Sequence, residues 1–286
     1  MLIAAFPEVA NIGKKVAKAL KAEYTTIQVS DFPDSEFHLK LKKNPEHKKV
    51  VIINSMTANP DEKIIETILA GGIARDYGAV RVTLVATYLP YMRQDTHFEK
   101  YDSFSSKHVI RLFNEFDKII AIDPHLHRIK SLKEISPRAE SISVDSVVAN
   151  FIKKKFKNDF EIIGPDSESA QWSAVIAKML KKKVTILTKH RLGDKDIKQD
   201  VVKLDSGVNY LIIDDIISTG KTIAGALAMA KKQGAKKLYC IGIHGVLAGN
   251  ASKLITKHAQ LITTNTIPNK HSKIDVSPVI IDALRD

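Results

Sequence analysis

The sequence predicts an α/β protein in which parallel β-sheets are flanked by helices. Short apolar runs alternate with helical segments from one end of the chain to the other. A strand that helices cover on both faces is apolar along its whole length, so these runs indicate parallel, doubly covered sheets. The chain has 286 residues, enough for two domains, and the alternation forms two series that divide near Ser143. We therefore expect two tandem domains, residues 1–143 and residues 144–286, repeated in architecture without a convincing residue-level repeat.

The elements follow in order along each series. The predicted strands of the first series are Leu2–Phe6, Thr25–Val29, Val50–Ile53, Val82–Ala86 and Lys118–Ile122, and its helices are Val9–Ala22, Pro60–Tyr77 and Ser105–Glu115. The second series has the predicted helices Asp145–Phe156, Ser167–Leu180 and Thr222–Gln233, and the strands Glu161–Ile163, Val184–Leu187, Leu211–Ile213 and Leu238–Ile243. Sites in such sheets form beyond the carboxyl ends of the strands, so the polar segments that follow the strands are the candidate functional residues.

The most informative of these segments follows the apolar run Tyr210–Ile213. It starts with the acidic pair Asp214–Asp215 and passes through the small-residue turn Ser218–Gly220 into an alanine-rich helix. Loop amides and the positive end of a helix dipole suit a phosphate. Carboxylates instead suit ribose hydroxyls or a divalent cation. A solvated strand end would also explain two acidic residues, but it does not explain the loop and helix that follow them.

The step Gly220-Lys221-Thr222 resembles the end of a P-loop, which has a glycine five positions earlier. That position is Asp215. A carboxylate there opposes a backbone wrapped around a triphosphate, so we exclude a P-loop.

Two polar segments of the first series suit a nucleotide. Asp31–Glu36 combines the Phe32 ring, which can stack on a base, with carboxylates that can accept from an exocyclic amine; the alternative is a structural turn. Tyr88–His97 carries Arg93, whose guanidinium suits phosphate, directly after a buried strand.

Three further segments suit metal or phosphate chemistry. In Asp123–His127 a histidine can bind a metal beside Asp123, although lone histidines are often structural. Gly164–Ala170 opens a helix with small residues, which favours a pyrophosphate site with Asp166 beside it for Mg²⁺. Thr188–Asp194 carries two cations at the head of a long polar segment, which indicates a mobile lid over a reacting phosphate or, alternatively, a basic surface loop.

Composition limits the partners and the compartment. The net charge of +12 would allow nucleic acid binding, but the lysines lie on helical faces and helix ends without interleaved aromatic residues. We expect these lysines to form a solvated surface, with attraction of small polyanionic substrates as the alternative, and no nucleic acid partner. No apolar run approaches the roughly 20 residues that span a bilayer, and the start of the chain lacks a basic signal region. With Cys240 as the single cysteine, we expect a cytoplasmic protein without a membrane partner.

Together and in this order, the segments resemble those of ribose-phosphate pyrophosphokinases, which make 5-phosphoribosyl 1-pyrophosphate (PRPP), over essentially the whole chain. The matching segments are Asp31–Glu36 (Phe-Pro-Asp-Gly-Glu, with Ser35 for Gly), Arg93-Gln94-Asp95 (Arg-Gln-Asp), Asp123-Pro124-His125 (Asp-Leu-His), Gly164–Ala170 (pyrophosphate loop), Lys189–Arg191 (catalytic flexible loop) and Asp214–Thr222 (ribose 5-phosphate loop). The departures are Ser35, Thr96-His97 in place of a basic pair, and Ser218 and Lys221 in place of Asp and Gly.

The resemblance implies two type I phosphoribosyltransferase-like domains. It also implies transfer of the β,γ-diphosphoryl group of ATP to the anomeric hydroxyl of ribose 5-phosphate, with Mg²⁺, in a homodimer or larger homo-oligomer that shares its ATP sites between subunits. The residues implied for ATP are Phe32, Asp34, Ser35, Glu36, Arg93, Gln94, Asp95 and His97. Those implied for ribose 5-phosphate are Arg191, Asp214, Asp215, Ser218, Thr219, Gly220, Lys221 and Thr222. The metal residues implied are His125, Asp166 and Asp123, and the catalytic residues implied are Lys189 and Arg191.

Two alternatives stay open. A phosphoribosyltransferase that consumes PRPP needs the Asp214–Thr222 loop, but neither the ATP elements nor a second full domain. A catalytically silent regulatory member of the family is expected to lose catalytic residues. Here these residues are all present: Lys189, Arg191, Asp214 and His125.

Overall fold

The computed structural model describes residues 1–156, 159–187 and 202–285, together with the backbone of residues 189–191 and 197–199. The chain divides into two compact units. Unit 1 is Met1–Ser143 with Thr266–Pro268 and Val276–Asp286, and unit 2 is Val144–Asn265 with Asn269–Asp275. Unit 2 differs from the expected domain 144–286 at the C-terminus, because the last helix packs against the first helix and against a strand of unit 1.

Unit 1 is built on a six-stranded parallel sheet. The strands of unit 1, which include two outside this sheet, are β1 (Leu2–Ala5), β2 (Glu23–Thr26), β3 (Gln28–Asp31), β4 (Phe37–Lys40), β5 (Lys49–Ser55), β6 (Arg81–Tyr88), β7 (Lys118–Ile122) and β8 (Ala139–Ile142). Its helices are α1 (Ala10–Ala19), α2 (Pro60–Asp76), α3 (Ser105–Arg111) and the C-terminal α8 (Ser277–Arg285), with 3₁₀ turns at Pro7–Val9 and Leu132–Glu134. The sheet order is β2-β1-β5-β6-β7-β8, while β3 and β4 form a separate antiparallel hairpin.

Unit 2 repeats this plan. Its strands are β9 (Glu161–Gly164), β10 (Val184–Ile186), β11 (Lys189–Arg191), β12 (Ile197–Gln199), β13 (Asn209–Ile216), β14 (Lys237–His244), β15 (Gln260–Thr264) and β16 (Ser272–Ile274). Its helices are α4 (Asp145–Lys155), α5 (Ala170–Leu180), α6 (Lys221–Lys232) and α7 (Ala251–Thr256). The parallel sheet has the order β10-β9-β13-β14-β15-β16, and β11 pairs with β12 in an antiparallel ladder.

The sheet registers reveal a repeat that the sequence analysis did not find. In unit 1, Ala4 pairs with both Thr25 and Ile52, and in unit 2, Ile163 pairs with both Thr185 and Ile212. Counting back from the two threonines aligns AKALKAEYT (residues 17–25) with AKMLKKKVT (residues 177–185). In both segments the helix is followed by a lysine at positive φ, 52° at residue 21 and 54° at residue 181.

The two cores explain why the apolar runs form strands. Ile52 and Ile53 of β5 and Ile212 and Ile213 of β13 are fully buried. Helices cover both faces of such strands, which gives the continuous apolar pattern. Of the residues that the structure describes, no helix is long and apolar enough to cross a membrane.

Several elements differ from the expectations. The predicted strand Thr25–Val29 is two strands, because β2 pairs with β1 and the chain then leaves the sheet as β3. The predicted helix at Ser167 begins at Ala170, after a turn, and the helix expected to reach Glu115 ends at Arg111. The segment predicted as a loop around Lys189 forms the strand β11. The short elements β4, β8, β15, β16, α7 and α8 were not predicted.

Close packing of α1 on the sheet depends on Gly13. A Cβ at this position would lie 2.5 Å from Ala5 Cβ and 2.9 Å from Tyr24 Cε2. Gly225, in α6, has no atom within 4 Å of an added Cβ. We expect Gly13→Ala to lower the free energy of unfolding by about 1–3 kcal/mol through overpacking. Gly225→Ala should raise it by about 0.5–1 kcal/mol through helix propensity. Urea unfolding of the two variants measures both; equal effects would contradict the packing of α1 described here.

Candidate active site

The polar residues of unit 2 converge where the strand order reverses. From β9 the chain continues through α5 to β10 on one side, whereas β13 lies on the other side and leads towards β14. In open α/β sheets this reversal opens a crevice at the carboxyl ends of the two strands. The residues at this crevice are Gly164, at the end of β9, and Asp214, near the end of β13.

The acidic pair lies within this crevice and is buried. Asp214 is 8% exposed and Asp215 is 3% exposed. Burial raises the pKa of Asp214 well above its usual range, and the nearby carboxylates of Asp215 and Asp166 raise it further. The backbone amide of Asp215 donates to Asp214 Oδ1 at 3.2 Å, which only partly offsets that penalty. The crevice therefore concentrates negative charge that a cation or donor hydroxyls would stabilise.

The loop after β13 has the form of an anion site. Gly220 has φ of 73° at the N-cap of α6, and the adjacent Ala251 leaves little room for a side chain there, with its Cβ 3.2 Å from an added Cβ. Two backbone hydrogen bonds tie the loop to the segment that follows β14. The amide of Ala248 donates to the Ser218 carbonyl at 3.0 Å, and the amide of Leu247 donates to the Ile217 carbonyl at 2.9 Å. The first amides of α6 have no acceptor within the helix, so they suit a phosphate.

The neighbouring turn after β9 positions Asp166. The Ser169 hydroxyl donates to the Asp166 carbonyl at 2.6 Å, and the Ser169 amide donates to Asp166 Oδ1 at 3.1 Å. A Cβ at Gly164 would lie 2.6 Å from Ile186 Cδ1 and 2.7 Å from Ser173 Oγ. This packing holds the turn tightly against the sheet and fixes where the Asp166 carboxylate lies.

In unit 1, the segment Asp31–Glu36 is the tip of the β3–β4 hairpin. The Phe32 ring is 52% exposed and makes an edge contact with the His38 ring, with centroids 6.2 Å apart. The tip is closed by the Phe32 amide donating to the Glu36 carbonyl at 2.6 Å. Ser35 has φ of 70°, a conformation that favours glycine and explains the glycine of the matching family motif. Asp34 and Glu36 are exposed.

The segment Arg93–His97 contains both exposed and buried side chains. Arg93, Gln94 and His97 are exposed, and Gln94 Oε1 accepts from the Ser105 hydroxyl at 2.5 Å. Asp95 is 2% exposed and accepts from the backbone amide and the guanidinium of Arg128, both at 2.8 Å. Burial alone would raise the pKa of Asp95, but these bonds outweigh burial and lower it. Arg128 is a partner that the sequence did not reveal, since it lies in a different loop.

The proposed metal residues of unit 1 follow β7. Asp123 has φ of 35°, and both Asp123 and His125 are 8% exposed. The rings of His125 and His127 are stacked with centroids 6.5 Å apart. Asp166 lies in unit 2. Across the part of the chain that the structure describes, no three His, Cys, Asp or Glu side chains are grouped so that they could hold a metal ion.

The remaining sequence candidates are Lys189 and Arg191, in β11. The structure describes their backbone alone, so their side chains, like Thr188 and residues 192–196, lie outside the described residues.

The charge in the crevice predicts a stability effect. The folded-state pKa of Asp214 is raised, so folding favours its protonated form, and stability is lost as pH rises from the unfolded value near 4 through the folded pKa. We expect Asp214→Asn to melt at a higher temperature than the wild type at neutral pH, by about 2–4 °C for each kcal/mol recovered. The difference should grow between pH 4 and pH 8.

Calorimetry without ligand measures this effect. Asp76→Asn is the control, because Asp76 is an exposed aspartate at the end of α2. A destabilised Asp214→Asn at pH 7, or a pH-independent difference, would contradict the electrostatic account.

Comparison with known proteins identifies the family. A sequence model of the N-terminal domain of ribose phosphate pyrophosphokinase matches residues 1–116, and a phosphoribosyl synthetase-associated domain matches residues 172–285. The chain is 30% identical to the ribose-phosphate pyrophosphokinase of Pyrococcus furiosus over 92% of this chain and 94% of the relative. It is 31% identical to ribose-phosphate pyrophosphokinase 1 of Archaeoglobus fulgidus over 94% of this chain and 95% of the relative.

A solved structure confirms the predicted fold class. The phosphoribosylpyrophosphate synthetase of Mycobacterium smegmatis superposes with a TM-score of 0.86 at 21% identity, covering 99% of this chain and 97% of that one. The α/β fold with parallel sheets therefore extends over the whole chain, and the sequence similarity adds the family. The chain belongs to the ribose-phosphate pyrophosphokinase family.

Proposed function

We propose that this protein is a ribose-phosphate diphosphokinase, which transfers the β,γ-diphosphoryl group of ATP to the anomeric hydroxyl of ribose 5-phosphate and yields PRPP and AMP. The observation that carries the proposal is similarity to relatives of this name over nearly the full length of both chains. The acidic crevice and anion loop of unit 2 support it, since they match the chemistry of a sugar phosphate.

Ribose 5-phosphate is assigned to unit 2. Asp214 and Asp215 accept hydrogen bonds from the ribose hydroxyls, which offsets the cost of burying these carboxylates. The 5-phosphate lies against the loop Ser218–Thr222, where the amides that begin α6 lack helical acceptors. Lys221 is exposed at this end of the helix and adds positive charge.

ATP is assigned to the exposed polar groups of unit 1. Phe32 stacks on the adenine, Asp34 and Glu36 accept from its amine, and Ser35 shapes the turn between them. Arg93, Gln94 and His97 contact the nucleotide. Asp95 acts differently: its carboxylate is buried against Arg128, so it holds the Arg93–His97 loop in place rather than touching ATP.

A divalent cation, Mg²⁺, is part of the proposal. The buried Asp214, whose pKa is raised by burial and by the nearby carboxylates of Asp215 and Asp166, marks a surplus of negative charge. Because these side chains are not grouped so that they could hold an ion by themselves, the ion would take further oxygen ligands from the substrate phosphates, as Mg²⁺ usually does. Asp166 would bind the ion in unit 2, and His125 with Asp123 would do so in unit 1. When bound, Mg²⁺ neutralises charge on the phosphate oxygens of ATP.

The chemical step is an in-line displacement. The anomeric oxygen forms a bond to the β-phosphorus of ATP, the bond from that phosphorus to the α,β-bridging oxygen breaks, and AMP leaves with the bridging oxygen. The hydroxyl proton passes to water. The protein contributes orientation and charge neutralisation, and Lys189 and Arg191 are proposed to neutralise the transferring diphosphoryl group. A cytoplasmic location and a homo-oligomeric state complete the proposal.

An activity assay distinguishes the two alternatives from the proposed reaction. A phosphoribosyltransferase would consume PRPP in the presence of a base and release pyrophosphate. A silent regulatory member would bind ligands without turnover. The similarity over both units favours the diphosphokinase over either alternative.

The reaction type is tested with purified protein, ATP, Mg²⁺ and ribose 5-phosphate. We expect AMP and PRPP to form in equal amounts, and no AMP without ribose 5-phosphate, because the acceptor hydroxyl is required for displacement. Chromatography of nucleotides with a coupled PRPP assay measures both. ADP as the sole nucleotide product would indicate γ-phosphoryl transfer and contradict the proposal.

The catalytic role of Lys189 is tested by Lys189→Ala. Contacts made mainly in the transition state lower kcat while ground-state binding changes little. We expect kcat to fall by about 10²–10³, while the Kd for ATP changes only a few-fold. Lys178→Ala, on the exposed side of α5, is the matched control for loss of one positive charge. A variant with near-normal kcat, or one whose ATP binding fails as much as its turnover, would remove Lys189 from catalysis.

A further inference from the structure

One salt bridge joins two loops of unit 1 that both carry proposed site residues. Residues 93–97 lie after β6 and residues 123–128 follow β7, and these two strands are parallel neighbours in the sheet. Asp95 of the first loop accepts two hydrogen bonds from Arg128 of the second. The Arg128 amide donates to Oδ2 and its guanidinium Nη1 donates to Oδ1, both at 2.8 Å. Because one residue occupies both carboxylate oxygens, it fixes the two loops relative to each other.

Burial makes this salt bridge hard for water to replace. The Asp95 side chain is 1% exposed, whereas the Arg128 side chain is 44% exposed. Burial by itself raises the pKa of Asp95, but the bonds from Arg128 outweigh burial and lower it, so the carboxylate is charged at neutral pH. Breaking such a pair leaves an unpaired charge in the interior, which is strongly destabilising. The two loops therefore depend on Arg128 for their arrangement.

The Arg128 side chain also contacts Phe98, the residue directly after the first loop. Its Cζ atom lies 5.1 Å from the centre of the Phe98 ring, within the range of a cation–π interaction. Arg128 thus contacts the chain around the first loop at two points, Asp95 and Phe98. Two contacts restrict the guanidinium more than the salt bridge alone would.

A second pair of similar design lies at the opposite end of the same strands. Arg75 Nη2 lies 2.7 Å from Asp117 Oδ1, and the amide of Val82 donates to Asp117 Oδ2 at 2.8 Å. Asp117 directly precedes β7 and Val82 is the second residue of β6, so this pair lies at the amino ends of the strands. Sites in parallel sheets form at the carboxyl ends. The Asp117 side chain is 40% exposed, so water can reach this carboxylate, and the pair serves as a comparison without a site beside it.

We propose that Arg128 is a positioning residue of the nucleotide site, which ties the loop assigned to ATP to the loop assigned to the metal. This inference rests on the proposed function, in which exposed side chains of residues 93–97 contact the nucleotide and His125 would hold Mg²⁺. Arg128 acts through Asp95 and does not need to touch ATP. Because the pair forms between protein groups alone, ATP meets two loops that are already held in place. Its binding then carries no cost of ordering them.

Hydrogen–deuterium exchange of the protein without ligand tests the link between the loops, independently of any reaction. We expect Arg128→Gln to speed amide exchange in residues 93–97 and in residues 123–128 together, because each loop loses the partner that holds it. Asp95→Ala should also speed exchange in both loops. Arg75→Gln is the matched control, since it removes the guanidinium of the pair at the amino ends of the strands, and it should leave both loops unchanged. Faster exchange only in the loop that carries the substitution would overturn the proposal.

Calorimetry of ATP binding with Mg²⁺ tests the consequence for the nucleotide site. We expect the Kd of Arg128→Gln for ATP to rise about 10- to 100-fold, the range for loss of a hydrogen bond between charged groups. Arg128→Lys keeps a positive charge against Asp95 and should recover part of this loss, whereas Arg75→Gln should bind ATP as the wild type does. The Kd for ribose 5-phosphate, which is assigned to unit 2, should not change. At saturating ATP, kcat should also change little, because the substitution affects binding rather than the transition state.

A double-mutant cycle separates the pair from a general loss of stability. If Arg128 acts through Asp95, Asp95→Ala also weakens ATP binding, and the double variant binds no worse than the weaker single variant. Additive losses, a wild-type Kd in Arg128→Gln, or a lower kcat with an unchanged Kd would overturn this inference and leave the proposed reaction intact. A wild type that binds no ATP would instead overturn the proposed function, and this inference with it.

Circular dichroism checks that each variant is folded. If Arg128→Gln does not fold, Arg128→Lys carries the test. Its Kd for ATP must then exceed the wild-type value while its Kd for ribose 5-phosphate stays the same. Equal ATP binding by Arg128→Lys and the wild type, with Arg128→Gln unfolded, would make Arg128 a residue of folding alone and overturn the proposal.

Discussion

The arrangement of the site depends on one electrostatic constraint: negatively charged groups are gathered at the carboxyl ends of two adjacent parallel strands. The register of β9 and β13 brings the Asp166 turn beside Asp214 and Asp215, and burial raises the pKa of Asp214 together with those neighbours. Apolar strands on either side keep water from relieving this charge. The site therefore costs stability without ligand, and ribose hydroxyls, phosphate-bound cations or both can recover it.

The equivalent strand end in unit 1 carries uncharged side chains in place of the two aspartates. Sheet register places Asn54 and Ser55 at the positions equivalent to Asp214 and Asp215. Asn54 donates to the Thr67 hydroxyl at 2.8 Å, and that hydroxyl donates to the Lys63 carbonyl at 2.6 Å. The helix that follows begins with Pro60, Asp61 and Glu62, whose carboxylates occupy the end of the helix dipole that would otherwise attract a phosphate.

An ion cluster also fills this region of unit 1. Lys63 pairs with Glu8 and with the buried Glu66, both at 2.9 Å. Burial by itself lowers the pKa of Lys63, but the two carboxylates outweigh burial and raise it. The two sheets thus share a topology but differ in chemistry. Unit 2 has an acidic crevice beside the amino end of α6, whereas unit 1 has a cluster of charged side chains that pair with one another. This difference is why the proposed sugar-phosphate site is assigned to unit 2.

The sequence predicted most of the features that depend on neighbouring residues in the chain, namely the central strands and the polar segments that follow them. Apolar runs located the central strands, and the residues after β9 and β13 were recognised because acidic and small residues directly follow buried strands. It did not predict what depends on distant partners. The strand expected at Thr25–Val29 changes partners after Thr26, α8 returns to unit 1 from the far end of the chain, and Asp95 is fixed by Arg128 from another loop. The sequence analysis gave Ser35 as a replacement for glycine and did not predict its positive φ, which arises at the closed tip of the β3–β4 hairpin.

The central claim is that the acidic crevice and anion loop of unit 2 hold the sugar phosphate. A crystal structure of the protein with ribose 5-phosphate tests this most directly. We predict density for the phosphate against the amides of Ser218–Thr222 and ribose hydroxyls within hydrogen-bonding distance of Asp214, with the equivalent crevice of unit 1 at Asn54 and Ser55 free of sugar phosphate. Ribose 5-phosphate bound in unit 1 instead, or bound in unit 2 with its phosphate away from that loop, would contradict the account.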